Sequence, residues 1–206
     1  MVIAIDGPAG SGKSTVARTV AERLGLAHLD TGAMYRSVAF AAVARNVDTT
    51  DLDAVAALAR TLTIEVAAGG VFVDGVDATD AIRTEAITMA VTAVASNPAV
   101  REVMVAKQRA WIEQNDGGVL EGRDIGTVVC PDAAVKVYLI ADAEVRAQRR
   151  AAEQNEAVAV DMVRRDQADS QRAVSPLMRA DDAAEIDTTH LSIEEVVDVV
   201  LGLVPA

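Results

Sequence analysis

The feature that most constrains the fold is the segment "DGPAGSGKST", residues 6–15, which directly follows the apolar stretch "MVIAI". It fits the pattern G-x-x-x-x-G-K-[ST], with Gly7, Gly12, Lys13 and Ser14 at the fixed positions. Glycines allow a tight turn whose backbone N–H groups converge on an anion, and the positive end of the following helix adds to this field. The sequence therefore predicts a strand, a phosphate-binding loop and a helix.

A loop of this kind predicts a nucleoside triphosphate site. Lys13 is placed to reach the outer phosphates, and the Ser14 hydroxyl is a candidate Mg²⁺ ligand. A chance glycine turn is the alternative, but the amphipathic helix pattern that follows, closed by Gly25, argues against it. The loop alone does not separate a kinase from a GTPase switch, a motor or a transporter subunit. The candidate triphosphate-binding residues are Gly7, Pro8, Ala9, Gly10, Ser11, Gly12, Lys13, Ser14 and Thr15.

Composition and charge limit the kinds of molecule that the chain can be expected to bind. The chain has 206 residues and a formal net charge of −12, which argues against a nucleic-acid binder with a basic face. No apolar run is long enough to span a membrane, and the N-terminus lacks the basic region of a signal peptide. Cys130 is the single cysteine, which fits a reducing compartment. We therefore expect a cytoplasmic protein that acts on small molecules, binds no nucleic acid or membrane, and is a monomer.

Short apolar segments alternate with amphipathic ones along most of the chain. The candidate strands are "VIAID", "LAHLD", "GVLEGRD", "VKVYLIA" and "AEIDTT", an order typical of a parallel sheet covered by helices on both faces. Residues 62–82 depart from this order, because their period-two alternation and glycine turns predict a small antiparallel β-insert. Residues 143–172 are rich in arginine and alanine and are interpreted as a mobile helical arm.

Arginine is concentrated in that arm, where Arg146, Arg149 and Arg150 form one cluster. Guanidinium groups bind phosphate oxygens through two parallel hydrogen bonds, so this concentration suits a triphosphate site. The alternative is a solvated helix laced with salt bridges, since acidic residues are interspersed.

Two predicted strands end in polar residues that the carboxyl edge of a parallel sheet would place in a ligand crevice. "LDTGAMYRSV" supplies Asp30, Thr31 and Arg36, although Asp30 or Thr31 could simply cap a helix and leave Arg36 on the surface. "EGRDIGT" supplies Arg123 and Asp124, which are either a structural ion pair or a phosphate-binding cation beside a carboxylate that accepts from an amine.

A family resemblance covers nearly the whole chain. It is carried by "GPAGSGK", "LDTGAMYR", "IRTEAI", "NPAVRE", "EGRDIGTVV" with the following "PDA", and "RRDQADSQRAVSPL". In this order the segments resemble the bacterial cytidylate kinase family of P-loop nucleoside monophosphate kinases. The resemblance implies an α/β three-layer P-loop fold with a five-stranded parallel sheet flanked by helices, a β-insert and a helical lid. The implied single kinase domain has a core (1–32, 84–142 and 173–206), a monophosphate-binding insert (33–83) and a lid (143–172).

The resemblance also implies an activity, which is transfer of the γ-phosphoryl group of ATP to CMP or dCMP with Mg²⁺ as cofactor. The implied catalytic residues are Lys13, Arg36, Arg123 and Arg165, the three arginines gripping the acceptor phosphate. The cytosine would be read by Thr31, Arg101, Asp124 and Arg172, with Asp30, Thr92 and Asp169 completing the CMP site. Arg146, Arg149 and Arg150 are the candidate ATP contacts of the lid.

The chemistry of the acceptor separates the remaining alternatives. A phosphate monoester is an anion that attacks without losing a proton, whereas an alcohol acceptor such as shikimate needs a general base, for which Asp30 is the candidate. A GTPase switch should carry N-K-x-D and D-x-x-G motifs, and the sequence has neither. A nucleotide-binding regulator without catalysis is the third possibility, and the intact set of charged residues argues against it.

Overall fold

The computed structural model describes residues 1–67, 69–153, 164 and 166–205, except for the side chains of residues 150, 152 and 153. The chain forms two compact units: Met1–His28 together with Ile112–Ala206, and Leu29–Trp111. Within the described part of the chain, no helix is long and apolar enough to cross a membrane.

Strands and helices follow one another along the chain, with one run of short strands and two places where two helices come in succession. The strands are β1 (Val2–Asp6), β2 (His28–Asp30), β3 (Ile64–Ala67), β4 (Gly70–Val73), β5 (Val76–Asp77), β6 (Gly118–Gly122), β7 (Val135–Ile140) and β8 (Ala184–Asp187). The helices are α1 (Lys13–Leu24), α2 (Thr31–Ala44), α3 (Leu52–Thr61), α4 (Glu85–Ser96), α5 (Pro98–Gln114), α6 (Ala143–Glu153) and α7 (Ile193–Gly202). A 3₁₀ turn covers Ala81–Arg83 and a π-helical turn covers Ile125–Val129.

The main sheet has five strands in the order β2-β6-β1-β7-β8. Strand β1 lies at its centre and pairs in parallel with both β6 and β7, with Ile3 opposite Val119 on one side and Val135 on the other. Ile3, Ala4 and Ile5 are all fully buried. This continuous burial is expected for a parallel strand with both faces covered, which confirms the α/β sheet predicted from the apolar segments.

Helices α1 and α7 cover this sheet with branched apolar side chains. Val16 and Val20 of α1 and Val196 and Val200 of α7 lie in the same buried cluster as Ile3. The first glycine-rich turn is therefore followed by a helix that is packed on the sheet, so the N-terminal end of α1 has a fixed place beside β1.

The second unit contains a separate sheet of three antiparallel strands in the order β3-β4-β5. Ile64 lies opposite Val73, and Phe72 opposite Asp77. This sheet lies within residues 62–82 and confirms the antiparallel β-insert. The predicted lid, residues 143–172, falls partly outside the described residues, and its subdivision from the core stays a prediction.

A buried carboxylate joins the end of β1 to the turn after β6. Asp6 Oδ1 accepts a hydrogen bond from the backbone N–H of Ile125 (2.9 Å), and Oδ2 accepts from that of Gly126 (2.7 Å). Burial raises the pKa of Asp6 to about 6, although the two backbone hydrogen bonds and Lys13 favour the ionised form. The carboxylate thus aligns the segment that begins at Gly7 with the one that follows Arg123.

The pH dependence of stability tests this burial. The folded-state pKa of Asp6 is about 6 and its ordinary value is 3.8, so between these values the folded protein holds a proton that the unfolded chain has lost. The contribution of Asp6 to the free energy of unfolding should therefore decline as the pH rises from about 4 to about 6, by up to about 1.4 kcal/mol per pH unit, and then stay level.

The measurement is urea unfolding of the wild type and of Asp6→Asn at several pH values. The difference between the two unfolding free energies should change across this range, while Asp53→Asn, at an exposed carboxylate of α3, should follow the wild-type curve. A constant separation between wild type and Asp6→Asn would contradict the assignment.

Candidate active site

The loop between β1 and α1 takes backbone conformations that require glycine. Gly7 has φ +147°, and a Cβ atom there would lie 2.2 Å from the carbonyl oxygen of Leu139. Gly12, with φ 89°, immediately precedes α1 in the left-handed conformation. These conformations are the ones that allow successive backbone N–H groups to face an anion at the start of a helix.

Lys13 lies within this loop and is almost completely buried, with 7% of its surface exposed. Its ammonium group donates to the carbonyl oxygen of Pro8 (2.6 Å) and approaches Ser11 Oγ (3.5 Å). Burial, together with the nearby charge of Arg123, lowers the pKa of Lys13 to about 7, while Glu121 acts in the opposite direction. A phosphate beside this amine would favour its charged form.

The next residue, Ser14, contacts a carboxylate that the sequence analysis did not identify. Ser14 Oγ donates to Glu121 Oε2 (2.7 Å), and Glu121 is 4% exposed at the end of β6. An acid inside the apolar strand "GVLEG" is the sequence signal that could have indicated this residue. Its contact with Ser14 depends on the order of the strands in the sheet, which places the end of β6 beside the loop.

A hydroxyl and a carboxylate are hard oxygen ligands of the kind that Mg²⁺ takes when it also binds substrate phosphates. The Ser14–Glu121 pair therefore fits the cofactor that the loop implies. Among the described residues, no group of three or more His, Cys, Asp or Glu side chains is placed to hold a metal ion.

The segment after β6 brings together several of the predicted CMP-site residues. Arg123 donates through Nη1 to the carbonyl oxygen of Gly7 (2.9 Å) and through Nε to Asp169 Oδ2 (3.0 Å). The other oxygen of Asp169 lies 2.9 Å from Arg172 Nη2. Asp124, beside Arg123, is 5% exposed. Arg123, Asp124, Asp169 and Arg172 therefore belong to one described unit, whereas Arg165 lies outside the described residues.

Two predicted ATP-binding arginines contact the region around the loop. Arg146 donates to the carbonyl oxygen of Ala9 (3.0 Å) and pairs with Asp166, whose Oδ1 accepts from the N–H of Ala9 (2.9 Å). Together, Arg146 and Asp166 bind both backbone polar groups of Ala9. Asp166 is not among the site residues predicted from the sequence.

Arg149 has a different partner from the one expected of an ATP contact. Its guanidinium donates to Thr188 Oγ1 (2.9 Å) and to the Thr188 carbonyl oxygen (2.7 Å). Thr188 Oγ1 in turn lies 3.2 Å from the carbonyl oxygen of Ser11. Arg149 thus supports the loop through Thr188, another residue that the sequence analysis missed. The backbone of Arg150 belongs to α6, but its side chain is outside the described part.

The second unit contains the remaining predicted CMP-site residues. Asp30 caps α2, because its Oδ1 accepts from the N–H of Ala33 (2.9 Å). Thr31 is buried as the first residue of that helix, and Thr92 is half-buried in α4. The capping interpretation of "LDTGAMYR" is therefore correct for Asp30, and a role for Asp30 in the CMP site stays a prediction.

Two arginines of this unit are held in place by carbonyl groups. Arg36 Nη1 lies 3.0 Å from both the Ile82 carbonyl oxygen and Thr88 Oγ1, so Arg36 is half-buried rather than on the surface. Arg101 is 2% exposed and donates to the carbonyl oxygen of Ala95 (3.1 Å). Contacts within the protein therefore hold both guanidinium groups in position.

Comparison with solved structures shows the same fold. A gluconokinase from Sinorhizobium meliloti 1021 is similar to this chain with a TM-score of 0.50 and 14% sequence identity, over 98% of this chain and 90% of that one. At this identity the likeness shows the fold alone.

Comparison of sequences is more specific. The family model described as cytidylate kinase matches residues 3–206. A protein named cytidylate kinase from Geobacillus sp. (strain WCH70) is 49% identical over 98% of this chain and 95% of its own length. The protein of the same name from Bacillus subtilis (strain 168) is 48% identical with the same coverage. With its loop, its sheet and its sequence in agreement, the chain belongs to the cytidylate kinase family.

Proposed function

We propose that the chain transfers the γ-phosphoryl group of ATP to CMP or dCMP, forming ADP and CDP or dCDP. The observation that carries this proposal is the buried ammonium of Lys13 within a glycine loop, in a chain of the cytidylate kinase family. Phosphoryl transfer depends mainly on positioning the reactants and on neutralising charge, and the residues around this loop suit both tasks.

On the donor side, the glycine loop, residues 7–15, and the Lys13 ammonium hold the phosphates of ATP. Ser14 and Glu121 would hold Mg²⁺, which when bound neutralises charge on the β- and γ-phosphate oxygens. Glu121 accepts a hydrogen bond from the Ser14 hydroxyl, so the lone pairs of that hydroxyl stay directed away from the carboxylate. Arg146 positions Ala9 of the loop, and Arg149 and Arg150 are the other proposed contacts of the lid with ATP.

On the acceptor side, Arg36, Arg123 and Arg165 bind the phosphate of CMP. This phosphate is itself the nucleophile and carries negative charge at neutral pH, so the reaction needs arginines to offset repulsion and needs no general base. The alternative acceptor, an alcohol with Asp30 as base, is not favoured, because the relatives are named cytidylate kinase and Asp30 accepts the N-terminal hydrogen bond of α2.

Selection of the base depends on matching hydrogen-bond donors with acceptors. Cytosine presents an N4 amine and an N3 acceptor, which suit a carboxylate beside a guanidinium. We propose that Asp124 accepts from the amine and that three further residues complete the recognition of the base: Thr31, Arg101 and Arg172. Asp30, Thr92 and Asp169 complete the rest of the nucleotide site.

The proposed substrates also indicate where in the cell the protein acts. ATP and CMP are small cytoplasmic metabolites, and a chain with the single cysteine Cys130 suits a reducing compartment. We therefore propose a cytoplasmic enzyme that acts as a monomer, with no nucleic acid or membrane among its partners.

The direct test is a coupled assay of ADP release with ATP and Mg²⁺, offering CMP, dCMP, UMP, AMP, GMP and shikimate in parallel. Turnover should be far greater with CMP and dCMP than with the other acceptors, and Lys13→Ala should lose it because the donor phosphates lose their buried cation. Turnover with shikimate would instead make Asp30 a general base. Folded protein without acceptor-dependent turnover would support a regulator.

Substitution of Asp124 tests the base reader. Uracil presents a carbonyl where cytosine has its amine, so two acceptors would face each other at a cost of about 1–3 kcal/mol. Asp124→Asn can donate to that carbonyl, so the ratio of kcat/KM for CMP to that for UMP should fall by about tenfold or more. Asp132→Asn makes the same change at an exposed position and should leave the ratio unchanged. If Asp124→Asn discriminates as sharply as the wild type, another residue reads the base.

A further inference from the structure

His28, the first residue of β2, lies against the carboxylate that holds Ser14. Its Nε2 atom is 3.3 Å from Glu121 Oε1, and the two side chains are 25% and 5% exposed. Both of these atoms are shielded from solvent, and neither makes a hydrogen bond with a described residue, so their 3.3 Å approach is a close contact that a small rotation of the ring could turn into one. Since Glu121 Oε2 accepts from Ser14 at 2.7 Å, the two oxygens of one carboxylate face His28 and Ser14 respectively.

This arrangement has an energetic consequence for Glu121. A carboxylate oxygen that is removed from water needs a nearby donor, and the loss of such a donor costs more than the hydrogen bond contributes. A proton on Nε2 of His28, once turned toward Oε1, can supply that donor in the neutral ring as well as in the charged one. A glutamate has several rotatable bonds, so a contact at Oε1 also restricts the direction in which Oε2 points.

We propose that His28 is a positioning residue for the metal–nucleotide site, acting on Ser14 through Glu121. Without the His28 contact, Glu121 can rotate, and the Ser14 hydroxyl loses the fixed acceptor that directs its lone pairs. The inference rests on the proposed use of Mg²⁺ and ATP, but it concerns a residue that takes no part in the glycine loop or in the arginine clusters.

Two variants separate the donor from the bulk of the ring. In His28→Gln the side-chain amide nitrogen can reach the position of Nε2 and donate, whereas His28→Met has a similar length and no donor. His28→Leu is a second variant without a donor, in case the methionine variant does not fold. Thermal unfolding followed by circular dichroism establishes that each variant is folded.

The readout is the coupling between metal and nucleotide. Calorimetry gives the affinity for a non-hydrolysable ATP analogue with and without Mg²⁺, and the ratio of the two affinities measures that coupling. His28→Met and His28→Leu should reduce the ratio by about three- to tenfold with unchanged metal-free affinity and unchanged KM for CMP, and His28→Gln should stay within about twofold of the wild type.

The outcomes distinguish this inference from the proposed function. An unchanged ratio in the variants without a donor would overturn the role of His28, and so would an equal loss in His28→Gln, because packing of the ring would then be the cause. Wild-type protein without Mg²⁺-dependent binding or CMP-dependent turnover would overturn the proposed function itself.

Discussion

The two hydrogen bonds from the backbone N–H groups of Ile125 and Gly126 to the Asp6 carboxylate are the interaction on which the site depends. Asp6 ends β1, and the next residue, Gly7, begins the phosphate loop. Arg123, two residues before Ile125, donates back to the carbonyl oxygen of Gly7. The loops that follow β1 and β6 are thus joined in both directions, so the position of one determines the position of the other.

Charge pairing explains how so acidic a chain can bind phosphate. The formal net charge is −12, yet three arginines near the loop, Arg123, Arg146 and Arg172, are each accompanied by a carboxylate. Asp169 accepts from Arg123 and Arg172, and Asp166 pairs with Arg146. Buried cations need such partners, because an unpaired charge away from water is costly. A phosphate that binds Arg123 must compete with Asp169, so we expect the acid to moderate affinity for the substrate and to favour its release.

Much of the fold follows from local patterns in the sequence. The apolar segments predict the five strands of the main sheet, period-two alternation predicts the β-insert, and the spacing of Gly7, Gly12, Lys13 and Ser14 predicts the loop. These features depend on residues close together in the chain, whose periodicity reflects which side chains face the core. The sequence allowed Asp30 to be either a helix cap or a residue of the ligand crevice. Its hydrogen bond with the N–H of Ala33 identifies it as the cap of α2.

The unpredicted part of the site consists of partners far apart in the chain. Ser14 and Glu121 are 107 residues apart, Ala9 and Asp166 are 157 apart, and Thr188 and Ser11 are 177 apart. Such pairs form only because the sheet order brings their strands and loops together. The family resemblance implied Arg149 as an ATP contact, whereas its partner in the structure, Thr188, follows β8. His28 belongs to no motif, and the role proposed for it depends on its contact with Glu121.

The central claim is that the loop after β1 is a triphosphate site in which phosphate completes the surroundings of Lys13. Burial lowers the Lys13 pKa to about 7, so at about pH 8 most of the protein without ATP carries a neutral amine, and bound phosphate raises that pKa. The measurement is calorimetry of ATP binding at about pH 8 in Hepes and in Tris, whose different ionisation enthalpies reveal proton transfer. We predict uptake of nearly one proton per ATP in the wild type and none in Lys13→Met. Binding without proton uptake, or equal uptake by both proteins, would contradict the claim.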